Sequence, residues 1–192
     1  MTLRKETSQA LVAAGFKRTG RMHLRRIDSE FSFWVDTGPL GRREDVSPFA
    51  GLRSDMVETL FADFLGLSRD PYVGTVGANV GYLLEGDYRS WSPPDTLTQV
   101  MEVTWAALER MRPFASMSTL EGAWQVKATM ADPGAVYRLS IMAVISGDHA
   151  KLRERLEHAR QRECAQENGV CEQFRAFEAR LMAYANAPAR LA

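Results

Sequence analysis

This chain is short of most residues that announce a chemistry. Only two of its 192 residues are cysteine, Cys164 and Cys171, and both fall late. That is not the framework of a disulfide-stapled secreted domain. It predicts an intracellular, reduced protein with buried thiols; a helix break near Asn168-Gly169 would also bring the two within reach of a bridge. Lysine occurs only at Lys5, Lys17, Lys127 and Lys151, so arginine carries most of the positive charge. Lys plus Arg balances Asp plus Glu at 24 each, for a net charge of zero. Nothing global therefore draws the chain to nucleic acid or to a membrane. No apolar run approaches the length of a membrane span, and Glu6 and Gln9 interrupt "MTLRKETSQALVAAGF" where a signal peptide needs an apolar centre. A cytoplasmic location is expected.

Histidines are also few: His23, His149 and His158. His149 and His158 do not share a helix face as an i, i+4 metal pair would. His158 with Cys164 and Cys171 lacks both a C-x-x-C spacing and a fourth ligand, so no metal site is expected. There is no G-x-S-x-G nucleophile elbow. The serine, aspartate and histidine of "ISGDH" read as a helix stop followed by an N-cap. Glu44-Asp45 reads as solvated loop charge.

What is present is an ordinary globular composition, 45% hydrophobic and 25% charged, enough for one domain over 1–192. Residues 2–14 read as an amphipathic helix stopped by Gly15. "FKRTGRMHLRRI" alternates as a strand, with Phe16, Met22 and Leu24 towards the core and Lys17, Arg21, His23 and Arg25 outward. "SEFSFWVDTG" and "PFAGLRS" follow as strands, with a turn at Asp28-Ser29. "SDMVETLFADFLGL" has a helical stripe of Met56, Leu60, Phe61 and Phe64. Thr96 and Gln99 are spaced as a capping box, opening a helix through Met111 that should bury Val100, Met101, Trp105 and Leu108. "AVYRLSIMAVIS" suits a buried helix or a buried strand; the helical pattern over 149–166 favours a helical hairpin. A last helix carries Cys171, Phe174, Phe177, Leu181 and Tyr184, and the tail "NAPARLA" is expected to fray. The fold class is thus α+β: an N-terminal helix and an antiparallel sheet, then a mostly helical C-terminal half. The sheet-containing part covers 1–91 and the helical part 92–192.

"PYVGTVGANVGYLLEGDYRSW" looks at first like a phosphate loop. It has neither G-x-G-x-x-G nor a Gly-Lys-Ser/Thr ending, and no cation lies between Arg69 and Arg89. The run reads as a strand continuing through "YLLEGDY", with Val76, Ala78 and Val80 on the core side. Its glycines then serve the close approach of another element. No nucleotide or other cofactor is expected.

Several stretches together resemble an uncharacterised bacterial family catalogued as domain of unknown function 4304. They are "ALVAAGFKRTGRMHLRR", "SPFAGLRSDMVETLFADFLGL", "TVGANVGYLL", "RSWSPPDTLTQVMEVTWAALERMRPFASMSTLEGAW" and "LSIMAVISGDHAKLRERLEHA". The resemblance implies a small α+β cytosolic protein. It carries over no catalytic residue, and by analogy it suggests an immunity or adaptor partner of a bacterial toxin system.

Three functions are open at this point. One is a non-enzymatic protein-binding module using Lys17, Arg21, His23 and Arg25. Another is an enzyme with a cleft near Glu85, Asp87, Tyr88 and Trp91, or using His149. The third is a polyanion binder on the basic strand, against which the neutral net charge counts; nucleic acid is not the expected partner.

Overall fold

The structure is a computed structural model that describes residues 2–20, 22–38, 45–69, 74–92, 94–126, 134–165 and 169–187. It is an α+β protein in which an N-terminal helix and a five-stranded antiparallel sheet precede a mostly helical half. The elements are α1 (Leu3–Ala13), β1 (Lys17–Thr19), β2 (Met22–Arg26), β3 (Phe31–Asp36), β4 (Phe49–Ser54), α2 (Asp55–Leu65), β5 (Val76–Asn79) and α3 (Val80–Leu84). They continue with α4 (Leu97–Met111), α5 (Gly122–Val126), α6 (Ala135–Ile145), α7 (His149–Glu163) and α8 (Gly169–Ala185). The strands pair in chain order, each antiparallel to the next. Among the described residues, no helix is long and apolar enough to cross a membrane.

The chain divides into two compact units, and the division does not follow residue 91. The sheet unit comprises Met1–Asp55 with Pro71–Ala131. It keeps α4 because that helix buries Val100, Thr104, Ala107, Leu108 and Met111 while packing on β4 and α1. Thr96 caps α4 in the expected capping box with Gln99. Trp105 is only half-buried, stacked 5.8 Å from Phe16. One face of the sheet, formed by Phe31, Phe33, Val35, Ala50, Leu52, Val76 and Ala78, is sealed in the core.

The helical unit comprises Met56–Asp70 with Asp132–Ala192. Residues 135–145 are helix, and α6 and α7 form the expected hairpin, turned at Gly147 (φ 70°) and capped by Asp148. Phe174, Phe177 and Leu181 of α8 are fully buried, whereas Tyr184 is exposed. On α2 the buried side chains are Val57, Glu58, Ala62 and Phe64, so the stripe is rotated from the expected one and Met56 is exposed. The rotation follows from Glu58, which turns inward to meet Arg138.

Two further expectations need correction. Cys164 and Cys171 are not free thiols but a disulfide joining the end of α7 to the first turn of α8. The helices do break there, which brings the sulfurs together. The glycine run is not one strand either. β5 ends at Asn79, whose side-chain oxygen accepts from the Gly81 N–H at 3.0 Å and starts α3.

Candidate functional site

The first strand of the sequence reading is a hairpin. Gly15 (φ 87°) ends α1, and Gly20 follows β1 at a φ of 58° that glycine takes readily. Between β1 and β2 Lys17 pairs with Leu24 and Arg18 with His23. Odd positions therefore face even ones, and the parity changes sides across the turn. Lys17 shares the outer sheet face with Leu24, Arg26, Ser32, Trp34 and Arg53, whereas Arg18, His23 and Arg25 share the inner face with Phe33 and Val35.

The row Lys17, Arg21, His23, Arg25 is therefore not a single exposed surface. His23 is fully buried beside α1, with its Nε2 2.8 Å from the Ser8 hydroxyl. This Ser–His pair ties α1 to the sheet; with both side chains sealed, no substrate reaches it. Arg25 lies half-buried against the faces of Phe16, Trp105 and Phe33, at 5.0, 5.1 and 5.6 Å from their ring centroids. Cation–π attraction of this kind explains why an arginine takes an inward position where the alternation called for an apolar residue. Met22 and Leu24 are consequently only half-buried on the outer face. Arg21 lies outside the described residues.

Lys17 nevertheless helps to line a concavity of about 700 Å³ with Arg18, Arg25, Arg26 and Arg53, and with Gly15, Thr19, Leu24, Ser32 and Asp55. Of these basic residues, Lys17, Arg26 and Arg53 rise from the outer sheet face, whereas Arg18 and Arg25 belong to the inner one, with the Arg25 guanidinium held against the Phe16, Trp105 and Phe33 rings. Asp55 binds two of the cations, with Arg26 Nη1 2.6 Å from Oδ2 and Arg53 Nε 2.8 Å from Oδ1. Burial pushes the Asp55 carboxyl up, but hydrogen bonds and charge from Arg53 and Arg26 outweigh it and hold the group below its ordinary value. Arg26 and Arg53 share the outer face with Lys17 although neither stood in the expected basic row, and sheet order brings them together, because β3 places Ser32 between them.

The glycines form a different feature. A Cβ on Gly51 would sit 2.0 Å from the Val76 carbonyl oxygen, and one on Gly77 would sit 2.3 Å from Trp34 Cζ2 and 2.4 Å from the Ala50 oxygen. The stripped face thus accepts the Trp34 indole, whose Nε1 donates to the carbonyls of Leu52 and Val76, both at 3.2 Å. Gly81 admits the backbone of Asp87 in the same way.

Glu85, Asp87, Tyr88 and Trp91 do not converge. Glu85 pairs with Arg89 on the surface, Asp87 and Tyr88 are exposed, and Trp91 is buried, bridged to Val46 through both backbone groups. Tyr88 instead stacks edge-on with Phe49 and Tyr82. His149 and His158 are both exposed, and Asp148 of "ISGDH" accepts the Lys151 N–H as an N-cap. Asp45 accepts from the Ser92 hydroxyl at 2.7 Å, whereas Glu44 lies outside the described residues, as do the last five residues of the tail. Among the described residues, no three His, Cys, Asp or Glu side chains gather as metal ligands. Comparison with protein-family models, with curated proteins and with solved structures finds no match to this chain.

Proposed function

We propose that the protein is a non-enzymatic binding module and that its basic concavity grips an acidic surface on a protein partner. The observation that carries this reading is the basic lining of the outer face: Lys17, Arg26 and Arg53 rise from one side of the sheet into one concavity, where Asp55 binds the two arginines. Arginine suits such a surface, since its planar fork pairs with carboxylates and its stem covers apolar area. Leu24 supplies apolar area here. Catalysis is a poorer reading of the same lining. Its one carboxylate is neutralised by two guanidinium groups and held to low pKa, which makes it a weak proton acceptor at neutral pH. A bulk polyanion is disfavoured by the zero net charge of the whole chain. An immunity or adaptor role, as the family resemblance suggests, fits a module of this kind.

The test is capture from the source cell by wild type and by the double variant Lys17→Glu/Arg26→Glu. Both side chains are exposed, so folding should survive, while recovery of the natural partner should fall at least about tenfold. Equal recovery of every partner by both proteins removes the concavity from the interface.

A further inference from the structure

The two edges of the sheet differ. β5 is largely buried, and α5 packs beside it. β1 is exposed at all three of its residues, Lys17, Arg18 and Thr19. Among the described residues its backbone pairs along one side only, with Met22, His23 and Leu24 of β2. A strand residue turns its N–H and C=O to the same side, and its neighbours turn theirs to the other. Of three consecutive residues, at least one therefore holds both groups towards solvent. Short, charged edges keep sheets from pairing with copies of themselves. Lys17 and Arg18 do so by sign, since a second β1 alongside would set like charges opposite each other. The same two cations favour a strand of opposite charge. They rise from opposite faces, Lys17 from the outer and Arg18 from the inner. Among the described residues Arg18 gives the protein only its Nε–H, to the Gly20 carbonyl at 2.7 Å.

We infer that β1 is a docking edge, to which an extended acidic segment of the partner adds as a sixth strand. The inference rests on the partner-binding reading and names how the partner is held. Backbone pairing supplies the register, and charge selects the sequence. Side chains of an added strand alternate between the two faces. One carboxylate meets Lys17 on the outer face, at the rim of the concavity, and its neighbour in sequence meets Arg18 on the inner face. The segment therefore carries two consecutive acidic residues.

Nuclear magnetic resonance titration of the full chain with a blocked hexapeptide of threonine and valine, with Glu-Glu at its centre, tests this. The amide signals of Lys17, Arg18 and Thr19 should shift to saturation. Two twins, N-methylated at odd or at even positions, read the pairing. An edge takes every second N–H of an added strand, so one twin should bind at least about tenfold more weakly and the other nearly as well as the parent. A Lys-Lys twin should not bind, and the double variant Lys17→Glu/Arg18→Glu should reverse that choice; both side chains are exposed, so the fold survives. Equal binding by the two methylated twins, or no shift at β1 with any peptide, would overturn the docking edge. Shifts of the same amides on raising the protein concentration alone would assign the edge to a second copy and overturn the acidic partner. If Lys17→Glu/Arg26→Glu still lost the natural partner in either case, the binding reading would stand without the added strand.

Discussion

Glu58 and Arg138, 80 residues apart in sequence, meet in a buried two-bond ion pair, with Nε donating to Oε1 at 2.7 Å and Nη2 to Oε2 at 2.9 Å. Their side chains are 3% and 9% exposed, and the Arg138 guanidinium lies 4.0 Å from the centre of the Phe61 ring. The pair joins α2 to α6 within the helical unit. Removing one member leaves the other charge buried and unmatched, which typically costs about 3–5 kcal/mol, whereas replacing both with apolar side chains costs far less. Glu58→Leu and Arg138→Met should each lower stability by that amount in urea unfolding, and the double variant should recover most of it. Single losses below about 1 kcal/mol would mean that water reaches the pair.

The glycines beneath Trp34 should rank by contact rather than by conformation. Gly77→Ala forces a methyl group into the Ala50 backbone and the indole, so it should cost at least about 2 kcal/mol. Gly86 has open space around it but a φ of 86°, so Gly86→Ala should cost only about 1 kcal/mol. Thermal unfolding of the two variants side by side gives the order; a reversed order would reject the indole-platform account.

The bond between Cys164 and Cys171 closes a short loop, with a sequence separation of 7. Loop-closure entropy for that length gives about 2 kcal/mol of stabilisation. Reductant should therefore lower the midpoint of unfolding, and neither cysteine should react with iodoacetamide in its absence. Alkylation of both cysteines in the untreated native protein, with a midpoint that reductant leaves unmoved, would contradict the bridge.

Asp55 sets an acid-side dependence. Its folded pKa lies below the ordinary aspartate value of 3.8, because Arg53 and Arg26 overcome the effect of burial. A depressed carboxyl contributes stability that is complete above the unfolded value and is lost as pH falls through the folded one. Below about pH 5, wild type should thus lose stability more steeply than Asp55→Asn. Urea midpoints measured across that range check the slope, and parallel curves would show that the two arginines do not hold the group in solution.

Much of this fold was legible because its signals are local. The capping box of Thr96 and Gln99, the Asp148 cap, the Gly15 stop and the apolar spacing of Phe174, Phe177 and Leu181 each act within one or two turns. Such signals work through hydrogen bonds and side-chain spacing that a short segment completes by itself. They gave the α+β order and the C-terminal helices.

The candidate site was only partly legible. Lys17 was read in it, but His23 was placed outward when it is sealed against Ser8. Alternation says which residues share a face; it does not say which face is inside, and the register between β1 and β2 reverses the parity of everything beyond it. Arg25 turned inward because Phe16, Phe33 and Trp105 come from three other segments to receive it. Glu58 did so because of Arg138, and Arg53 joined Arg26 because β3 lies between their strands. Each of these outcomes depends on partners far away in the chain, whose approach is decided by the energy of burying whole faces together. Local sequence encodes the elements, whereas the sign, company and exposure of each charge are settled only when those faces close.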